Sequence, residues 1–229
     1  MMTIDVVIPA FNEENSIELV LAHIPRKLVR RVVVCDNNSS DQTYENAVRG
    51  GAHVVRENRP GYGYACLKCL EYIKNSDLPA PDIVVFIDAD YSDYPEQLAD
   101  VVGPIIYEGF DLVIGSRALG KREPGSMTPQ QLFGNWLATR LLKWIYSYSF
   151  TDLGPFRAVR YQVLQDMQMS DKTYGWTVEM QIKAAKMKLK CTEVAVNYRK
   201  RIGYSKVSGT VKGTIGAGWK ILYTIFKYR

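Results

Sequence analysis

With 229 residues, the chain is long enough to form one large domain with its own hydrophobic core. Hydrophobic residues make up 47% of it and charged residues 23%, which is typical of a soluble globular protein. The net charge of +5 is too small to indicate nucleic-acid binding, but it is compatible with an anionic substrate or a lipid surface. Acidic residues interrupt any N-terminal signal-peptide core, and no apolar stretch is long enough to predict a membrane-spanning helix.

Short apolar runs rich in β-branched residues alternate with helix-compatible segments in the first half of the chain. This pattern predicts buried strands at residues 4–8, 31–35, 52–56, 83–87 and 111–115. Pro9 is expected to end the first strand because proline has no backbone N–H group. Four strand–helix alternations precede Arg117, which is typical of a doubly wound, mostly parallel α/β sheet with helices on both faces.

The fourth predicted strand ends in two carboxylates, Asp88 and Asp90, which are separated by Ala89. Open α/β sheets bind their ligands at the carboxyl ends of the strands. Alternate residues of an extended chain point the same way, so both carboxylates can share one hard divalent cation, and that cation can hold a diphosphate. Two solvated acids at a strand end are the simpler interpretation of so short a motif.

Two further strand ends carry polar or glycine-rich loops. Asp36 follows the second strand, where it is either a turn former or an acceptor of hydrogen bonds from a nucleobase. Gly61 and Gly63 follow the third strand and precede a helix. Glycines in that position let backbone N–H groups approach a phosphate.

The second half of the chain departs from the strand–helix repeat. We predict a loop at 120–128, a helix rich in aromatic residues at 130–147, a turn and short strand at 151–157, a helix from 175 to about 188 and a strand at 190–196. The tail from Gly209 carries one apolar helical stripe, with Lys220, Thr224 and Lys227 on the opposite side. The stripe consists of Val211, Ile215, Trp219, Leu222 and Phe226. It suits either a helix docked on its own domain or a membrane interface.

Seven motifs in a fixed order carry a resemblance to a known family. They are VVIPAFNEEN, VCDNNSSDQT, DAD, DLVIGSR, DLGPFR, GWTVEM and YRKRIGYSKVSGT. Together they resemble the inverting family-two glycosyltransferases of GT-A fold, and in particular the dolichyl-phosphate mannosyltransferase and glucosyltransferase branch. We expect one domain over residues 1–229. Within it, 1–117 would be the nucleotide-sugar-binding half, 118–202 the acceptor-side half and 203–229 a basic amphipathic tail.

The resemblance implies a donor site. The residues that it assigns to nucleotide-sugar binding are Pro9, Phe11, Asn12, Glu14, Asp36, Gly61, Gly63, Asp88 and Ala89. Asp36 matches the acid that reads the base. Asp88 and Asp90 match the ligands of a Mg²⁺ or Mn²⁺ ion that positions the donor diphosphate. That ion would act as a Lewis acid on the leaving group.

The resemblance also implies residues for catalysis and for the acceptor. A Mg²⁺ or Mn²⁺ ion held by Asp90 would offset the negative charge that develops on the leaving diphosphate, and Arg117 would add positive charge there. Arg157 and Arg199 resemble basic residues that hold an acceptor phosphate. Glu179 matches the acidic residue associated with the acceptor and is the candidate general base for a hydroxyl acceptor. A lipid phosphate is already ionised, so it needs orientation rather than a base.

Three features depart from the family pattern. The usual acidic–acidic–glycine is Asp36-Asn37-Asn38 here. Ser92 stands two positions beyond the D-x-D motif, where the lipid-phosphate enzymes often carry glutamine. The 120–128 loop lacks the Gln-x-x-Arg-Trp signature of processive polysaccharide synthases, which argues against that activity.

The expected reaction is transfer of a sugar, with inversion, from a nucleotide diphosphate sugar to a lipid-phosphate or other lipid-linked acceptor. We favour a UDP-sugar over GDP-mannose, and a role in making a cell-envelope glycan or glycolipid. We expect a cytoplasmic protein in peripheral contact with the anionic inner face of a membrane and without a nucleic-acid partner; the sequence does not indicate its oligomeric state. The alternatives are a non-catalytic nucleotide-sugar or lipid-binding module and, less favoured, a sugar-phosphate nucleotidyltransferase.

Overall fold

A computed structural model describes residues 2–205 and 211–229 of the chain. The expected start of the tail at Gly209, and the end of the last family motif at 206–210, lie outside the described residues. The described elements are β1 (Ile4–Ala10), α1 (Ile17–His23), β2 (Arg31–Asp36), α2 (Thr43–Arg49), β3 (His53–Arg56), α3 (Tyr62–Asn75), β4 (Ile83–Phe86), α4 (Leu98–Glu108), β5 (Leu112–Ser116), α5 (Pro129–Tyr146), β6 (Arg157–Arg160), α6 (Tyr161–Met167), α7 (Trp176–Lys186), β7 (Cys191–Ala195) and α8 (Val211–Lys227). A 3₁₀ turn at Pro95–Gln97 precedes α4.

The described strands form one sheet in the order β3-β2-β1-β4-β6-β5-β7. Neighbouring strands are parallel except at β6, which runs antiparallel between β4 and β5. The predicted α/β class with a mostly parallel sheet is therefore confirmed. Because β6 and β7 follow Arg117 in the chain, residues before and after 117 contribute strands to the same sheet.

Alternate residues of the strands pack on opposite faces of the sheet. On one face, Val7 and Val33 belong to an apolar cluster with residues of α3, α5, α7 and α8. On the other face, Val6 and Val32 belong to a cluster with residues of α1 and α4. Burial of one such aliphatic side chain stabilises the fold by about 1.5–3 kcal/mol. The apolar contacts with the strands therefore hold the helices on both faces of the sheet.

Pro9 lies inside β1, and the prediction that it ends the strand is wrong. The carbonyl oxygen of Val7 accepts a hydrogen bond from the Ile87 amide at 3.2 Å, so Val7 and Pro9 both face β4. The last paired residues of β1 and β4 are Val7 and Phe86. Pro9 therefore faces the space beyond the carboxyl end of β4, where no ladder partner requires its missing N–H group.

Helix α6 was not predicted from the sequence. It is seven residues long and follows β6 directly, so no turn-forming residues mark its start in the sequence. Its buried residues are Tyr161, Leu164 and Met167, which have helical spacing that is visible in the sequence.

Helix α8 packs on its own domain through a face that the sequence did not predict. Ile225 and Thr224 are buried, and the Tyr146 hydroxyl donates to the carbonyl oxygen of Ile225 at 2.5 Å. Ile215 and Trp219, which belong to the predicted apolar stripe, are instead 66% and 71% exposed. None of the helices among residues 2–205 and 211–229 combines the length and hydropathy needed to cross a membrane.

Glu179 joins α7, α8 and the segment between α6 and α7. Its side chain is fully buried and forms an ion pair with Lys183 at 2.8 Å. It also accepts hydrogen bonds from the Asp171 amide at 2.7 Å and from the Tyr228 hydroxyl at 2.6 Å. Burial raises the pKa of the Glu179 carboxyl, but the bonds from Lys183, Tyr228 and the 170–171 segment outweigh burial and lower this pKa to about 2.

The start of α3 approaches the segment that Glu179 holds. A Cβ atom at Gly63 would overlap the carbonyl oxygen of Asp171, and one at Gly61 would overlap that of Lys172. The Tyr64 amide donates to the carbonyl oxygen of Lys172 at 3.0 Å. These glycines thus allow a backbone–backbone contact between α3 and the 171–172 segment.

Replacing Gly63 with alanine should therefore destabilise the protein by about 1–3 kcal/mol, because the added methyl group has no space. Gly103→Ala is the matched control, since a Cβ there meets nothing within 4 Å. It should raise stability by up to about 1 kcal/mol through helix propensity. Urea denaturation measures both, and equal effects of the two substitutions would refute the close-packing explanation.

Glu179→Gln should lower the free energy of unfolding at pH 7 by about 2–3 kcal/mol. The pKa of Glu179 is about 2 in the folded protein, below the value of about 4.3 for an unfolded glutamate. Its contribution is therefore present above about pH 4.3 and is lost as the pH falls towards 2.

Urea denaturation at pH 7, 5 and 3 should show that the variant loses less stability on acidification than the wild type. Glu71→Gln on the exposed surface of α3 is the control and should change stability by less than about 1 kcal/mol. A Glu179 variant with the same acid dependence as the wild type would contradict this role.

Candidate active site

The carboxyl ends of β1, β2 and β4 open into a cleft with a cavity of about 490 Å³. Five residues assigned to the nucleotide sugar line it, together with Asp90: Pro9, Phe11, Gly61, Asp88 and Ala89. The start of α3 and the side chain of Arg201 close the other sides. The position is the one expected for a ligand of an open α/β sheet.

Three other residues assigned to the nucleotide sugar hold the loops around this cavity and do not line it. The Asn12 side-chain oxygen accepts from the Ser40 amide at 2.8 Å, and the Glu14 carboxylate accepts from the Gln42 amide at 3.1 Å. Asp36 is only 5% exposed. Gly63 does not line the cavity either, because it packs against the 171–172 segment.

Asn37 takes the place next to the cavity that the sequence analysis gave to Asp36. Its side-chain amide donates to the carbonyl oxygens of Glu57 and Arg59 at 2.9 and 2.8 Å. Its side-chain oxygen accepts from the Gly61 amide at 2.8 Å. An aspartate has no N–H donor for the two carbonyl groups, which explains why asparagine at this position departs from the family pattern.

Asp88 and Asp90 form the acidic centre of the cleft. Asp88 accepts a hydrogen bond from the Tyr62 hydroxyl at 3.1 Å. Burial and the neighbouring Asp90 carboxylate raise the pKa of Asp88 to about 7. Asp90 accepts from the Ser92 amide at 2.9 Å and forms an ion pair with Arg201 at 3.2 Å. Ser92 thus orients Asp90.

The acidic centre fits a divalent cation that is shared with a substrate. The carboxylate oxygens of Asp93 are buried without a hydrogen-bond partner, and burial together with Asp88 and Asp90 raises the pKa of Asp93. Such crowding of acids favours a cation. Within the described residues, no cluster of three or more His, Cys, Asp or Glu side chains is arranged as a metal site. Two carboxylates plus substrate phosphates are nevertheless a common ligand set for Mg²⁺.

A second cavity, of about 350 Å³, adjoins the first one. Both are lined by Asp88, Asp90, Tyr62, Tyr174 and Arg201. From this shared region, the second cavity extends between α5 and α8. Small and apolar residues of these helices and of the adjoining loops line it, including Gly134, Ala217, Gly218, Ile221, Met127 and Leu153.

Arg117 lines the second cavity and is held by Asp152. Two guanidinium nitrogens donate to the Asp152 carboxylate at 2.8 and 2.7 Å. Burial opposes the charged form of Arg117, but the Asp152 carboxylate outweighs it and raises the pKa of the guanidinium. Arg117 is thus a permanently charged group with a fixed direction.

The structure does not bring Arg157, Arg199 or Glu179 to either cavity. Arg157 is fully buried and donates to carbonyl oxygens of the 153–154 turn and of Thr177. Arg199 lies between the rings of Tyr91 and Tyr94, and its guanidinium donates to the carbonyl oxygens of Tyr91 and Asp93. None of the three residues lines either cavity. Their expected roles in catalysis and acceptor binding stay predictions.

Sequence reasoning missed Arg201 and Tyr62, which line both cavities. Arg201 belongs to the run Arg199-Lys200-Arg201, and that run suggested a basic cluster without showing which member faces the cleft. The backbone decides it, because the Arg199 amide donates to the Ser92 carbonyl and the Ile202 amide to the Asp90 carbonyl. Tyr62 stands between Gly61 and Gly63, which the sequence assigned to the nucleotide-sugar site. This neighbourhood is the sequence feature that indicates Tyr62 as a site residue.

Comparison with known proteins identifies the family of the chain. The model of glycosyl transferase family 2 matches residues 5–168. An uncharacterised glycosyltransferase of Mycobacterium tuberculosis is 36% identical over 96% of this chain and 97% of its own length. A dolichyl-phosphate hexose transferase of Haloferax volcanii is 32% identical over 88% of this chain and 85% of its own.

A solved structure has the same fold. Glucosyl-3-phosphoglycerate synthase of Mycobacterium tuberculosis, in complex with Mn²⁺, UDP-glucose and phosphoglyceric acid, matches with a TM-score of 0.75. It is 25% identical, and the match covers 99% of this chain and 79% of the other. The GT-A fold expected from the motifs is thereby confirmed. The chain belongs to glycosyltransferase family 2.

Proposed function

We propose that this glycosyltransferase moves a sugar from a UDP-sugar to a lipid phosphate at a membrane surface, with inversion and with a divalent cation. The observation that carries this proposal is the second cavity. It starts at the acidic centre, beside two arginines, and continues between α5 and α8 as a groove. Small and apolar residues line this groove together with the polar side chains of Gln130, Gln131 and Asn135. An amphiphile with an anionic head and a hydrocarbon chain matches that distribution of charge.

The first cavity is the proposed donor site. Phe11 and the asparagines of the β2 loop would contact the nucleoside, and Asp88 and Asp90 would hold a Mg²⁺ or Mn²⁺ ion on its diphosphate. Such an ion offsets charge on the leaving diphosphate. The related synthase that binds Mn²⁺ together with UDP-glucose supports a uridine nucleotide. GDP-mannose remains the second donor to test.

The second cavity is the proposed acceptor site. Arg117 would bind the acceptor phosphate by charge-assisted hydrogen bonds, and Asp152 would hold Arg117 in position. Arg201 lies where this cavity meets the donor site. Among the described lining residues, the carboxylates are Asp88 and Asp90, and both belong to the acidic centre. A phosphate acceptor is already ionised, so it suits a site without a dedicated general base.

Two glycines contribute to the space in this groove, Gly134 of α5 and Gly218 of α8. A Cβ atom at Gly134 or Gly218 would meet nothing within 4 Å. Glycines on two adjacent helices thus leave open space where larger side chains would fill it. The dolichyl-phosphate hexose transferase among the relatives, whose name states a lipid phosphate, supports the same acceptor class.

The outer surfaces of α5 and α8 form the proposed membrane contact. Phe133, Trp136 and Trp144 of α5 are 61%, 52% and 73% exposed, beside Trp219 and Phe226 of α8. Arg140 lies over the Trp136 ring at 5.7 Å. Aromatic rings together with long basic side chains are typical of an interface with anionic lipid. The same two helices line the second cavity, so an acceptor chain bound there would extend towards this surface. We place the protein at the cytoplasmic face.

Transfer of labelled sugar to a short polyprenyl phosphate tests the reaction. The donors are UDP-glucose, UDP-N-acetylglucosamine and GDP-mannose, each with Mg²⁺, Mn²⁺ or chelator. We expect one UDP-sugar to react with a divalent ion, and Asp90→Asn to reduce the rate by on the order of 100-fold or more. Asp100→Asn, an exposed acid of α4, is the control and should retain activity.

NMR of the product reports the configuration at the anomeric carbon, which should be inverted relative to the donor. Transfer to 3-phosphoglycerate but not to polyprenyl phosphate would overturn the lipid acceptor. Retention of configuration would overturn the inverting mechanism, and metal-independent transfer would overturn the role of the acidic centre.

Co-sedimentation with vesicles tests the membrane contact. The wild type should bind vesicles that contain anionic lipid, and Trp136→Gln with Trp219→Gln should weaken binding by about tenfold or more. Tyr107→Gln is the matched control, because Tyr107 is 85% exposed but lies on α4, on the other face of the sheet. Equal binding by both variants would remove α5 and α8 from the contact.

A further inference from the structure

Arg201 connects two acidic side chains from different parts of the donor site. One guanidinium nitrogen lies 3.2 Å from Asp90, and another lies 2.9 Å from Glu13. Both acids are largely buried, with side-chain exposures of 7% and 8%. Glu13 follows β1 and Asp90 follows β4, so one arginine joins the two strand ends on which the nucleotide cavity rests.

The position of Arg201 is built into the backbone. The amide of the next residue, Ile202, donates to the Asp90 carbonyl at 3.0 Å, and the Arg199 amide donates to the Ser92 carbonyl at 2.9 Å. Arg199 is further fixed between Tyr91 and Tyr94. These contacts anchor the main chain on both sides of Arg201, so a change in its partners requires only rotation of the side chain.

One donor of Arg201 is unused. The Nε atom is buried and has no hydrogen-bond partner. A buried N–H group without an acceptor is costly, and such a group is expected where a ligand supplies the acceptor. Because Arg201 lines both cavities, an anion in either one lies within its surroundings. A phosphate oxygen is the natural acceptor for a guanidinium.

We propose that Arg201 is an internal counter-cation of Asp90 that couples cation binding to nucleotide binding. Without a divalent ion, the guanidinium neutralises Asp90 and competes for the same carboxylate oxygens. When Asp90 ligates an ion, Arg201 is released and turns its fork, including Nε, towards the donor diphosphate. This inference rests on the proposed function in one respect, since it requires a nucleotide diphosphate and a divalent cation at the acidic centre.

The coupling is reciprocal by thermodynamic necessity. A diphosphate that draws Arg201 away from Asp90 strengthens the binding of the cation there, and a cation on Asp90 makes Arg201 available to the diphosphate. Direct contact between a diphosphate and a cation also produces positive coupling. The two ligands must therefore be measured separately, because only the affinity for the cation alone reveals the competition.

The test measures Mn²⁺ binding without nucleotide, from the electron paramagnetic resonance signal of free Mn²⁺, and UDP binding without metal, by calorimetry. Arg201→Gln should bind Mn²⁺ alone about fivefold or more tightly than the wild type, because the competing charge is gone. The same variant should bind UDP alone about fivefold or more weakly. The factor by which each ligand improves binding of the other should fall.

Lys200→Gln is the matched control, since it removes the same charge from an exposed neighbouring side chain. It should leave both affinities within about twofold of the wild type. Arg201→Lys separates the two roles. The lysine ammonium still neutralises Asp90, so the affinity for Mn²⁺ alone should stay close to the wild-type value. Lysine lacks the planar guanidinium with its paired N–H donors, so the affinity for UDP alone should fall. Thermal unfolding verifies that each variant is folded.

The result that overturns the inference is a folded Arg201→Gln variant that binds Mn²⁺ alone no more tightly than the wild type. If the wild type binds UDP with Mn²⁺ as expected, that outcome removes only the competition by Arg201. If the wild type binds neither UDP nor GDP in the presence of Mn²⁺, the proposed donor site itself is refuted, and the inference falls with it.

Discussion

The repulsion between two carboxylates at the end of β4 is the constraint on which the rest of the cleft depends. Asp88 and Asp90 stand in a partly buried position, and burial together with the Asp90 carboxylate raises the pKa of Asp88 to about 7. Neighbouring groups offset that repulsion: Tyr62 donates to Asp88, Ser92 donates to Asp90, and Arg201 supplies a full positive charge. Crowded acids of this kind suit a site that binds a cation.

This constraint also explains how segments far apart in the chain come together. Arg201 is separated from Asp90 by more than one hundred residues, and it arrives there because backbone hydrogen bonds fasten the 199–202 segment to the 90–92 segment. Tyr62 arrives at the start of α3, where glycines let that helix approach the 171–172 segment. The acidic centre is thus assembled from four parts of the chain, and each is positioned by main-chain geometry rather than by its own side chain.

Much of the fold follows from local patterns, and so does the acidic centre. Runs of β-branched residues predict the buried strands, and Asp88 and Asp90 stand where such a run ends. Local sequence patterns do not predict features that depend on pairing between distant segments. Nothing local shows that β6 inserts antiparallel between β4 and β5. Only the early end of β4, at Phe86, shows why Pro9 fits inside β1. Residue types also do not reveal burial: Glu179 and Arg157 have suitable chemistry for a site but serve as fully satisfied internal links.

The place of β6 in the sheet has a consequence for synthesis of the chain. Strands β4 and β5 do not pair with each other in the sheet. The strand that lies between them, β6, begins only at Arg157. Until residues 157–160 leave the ribosome, a central apolar strand has an unpaired edge, which is a template for pairing with other chains. The first 117 residues are therefore not expected to persist as a free unit. The nascent chain must close a loop of about seventy residues before its sheet is continuous, and that step is slow compared with local helix formation.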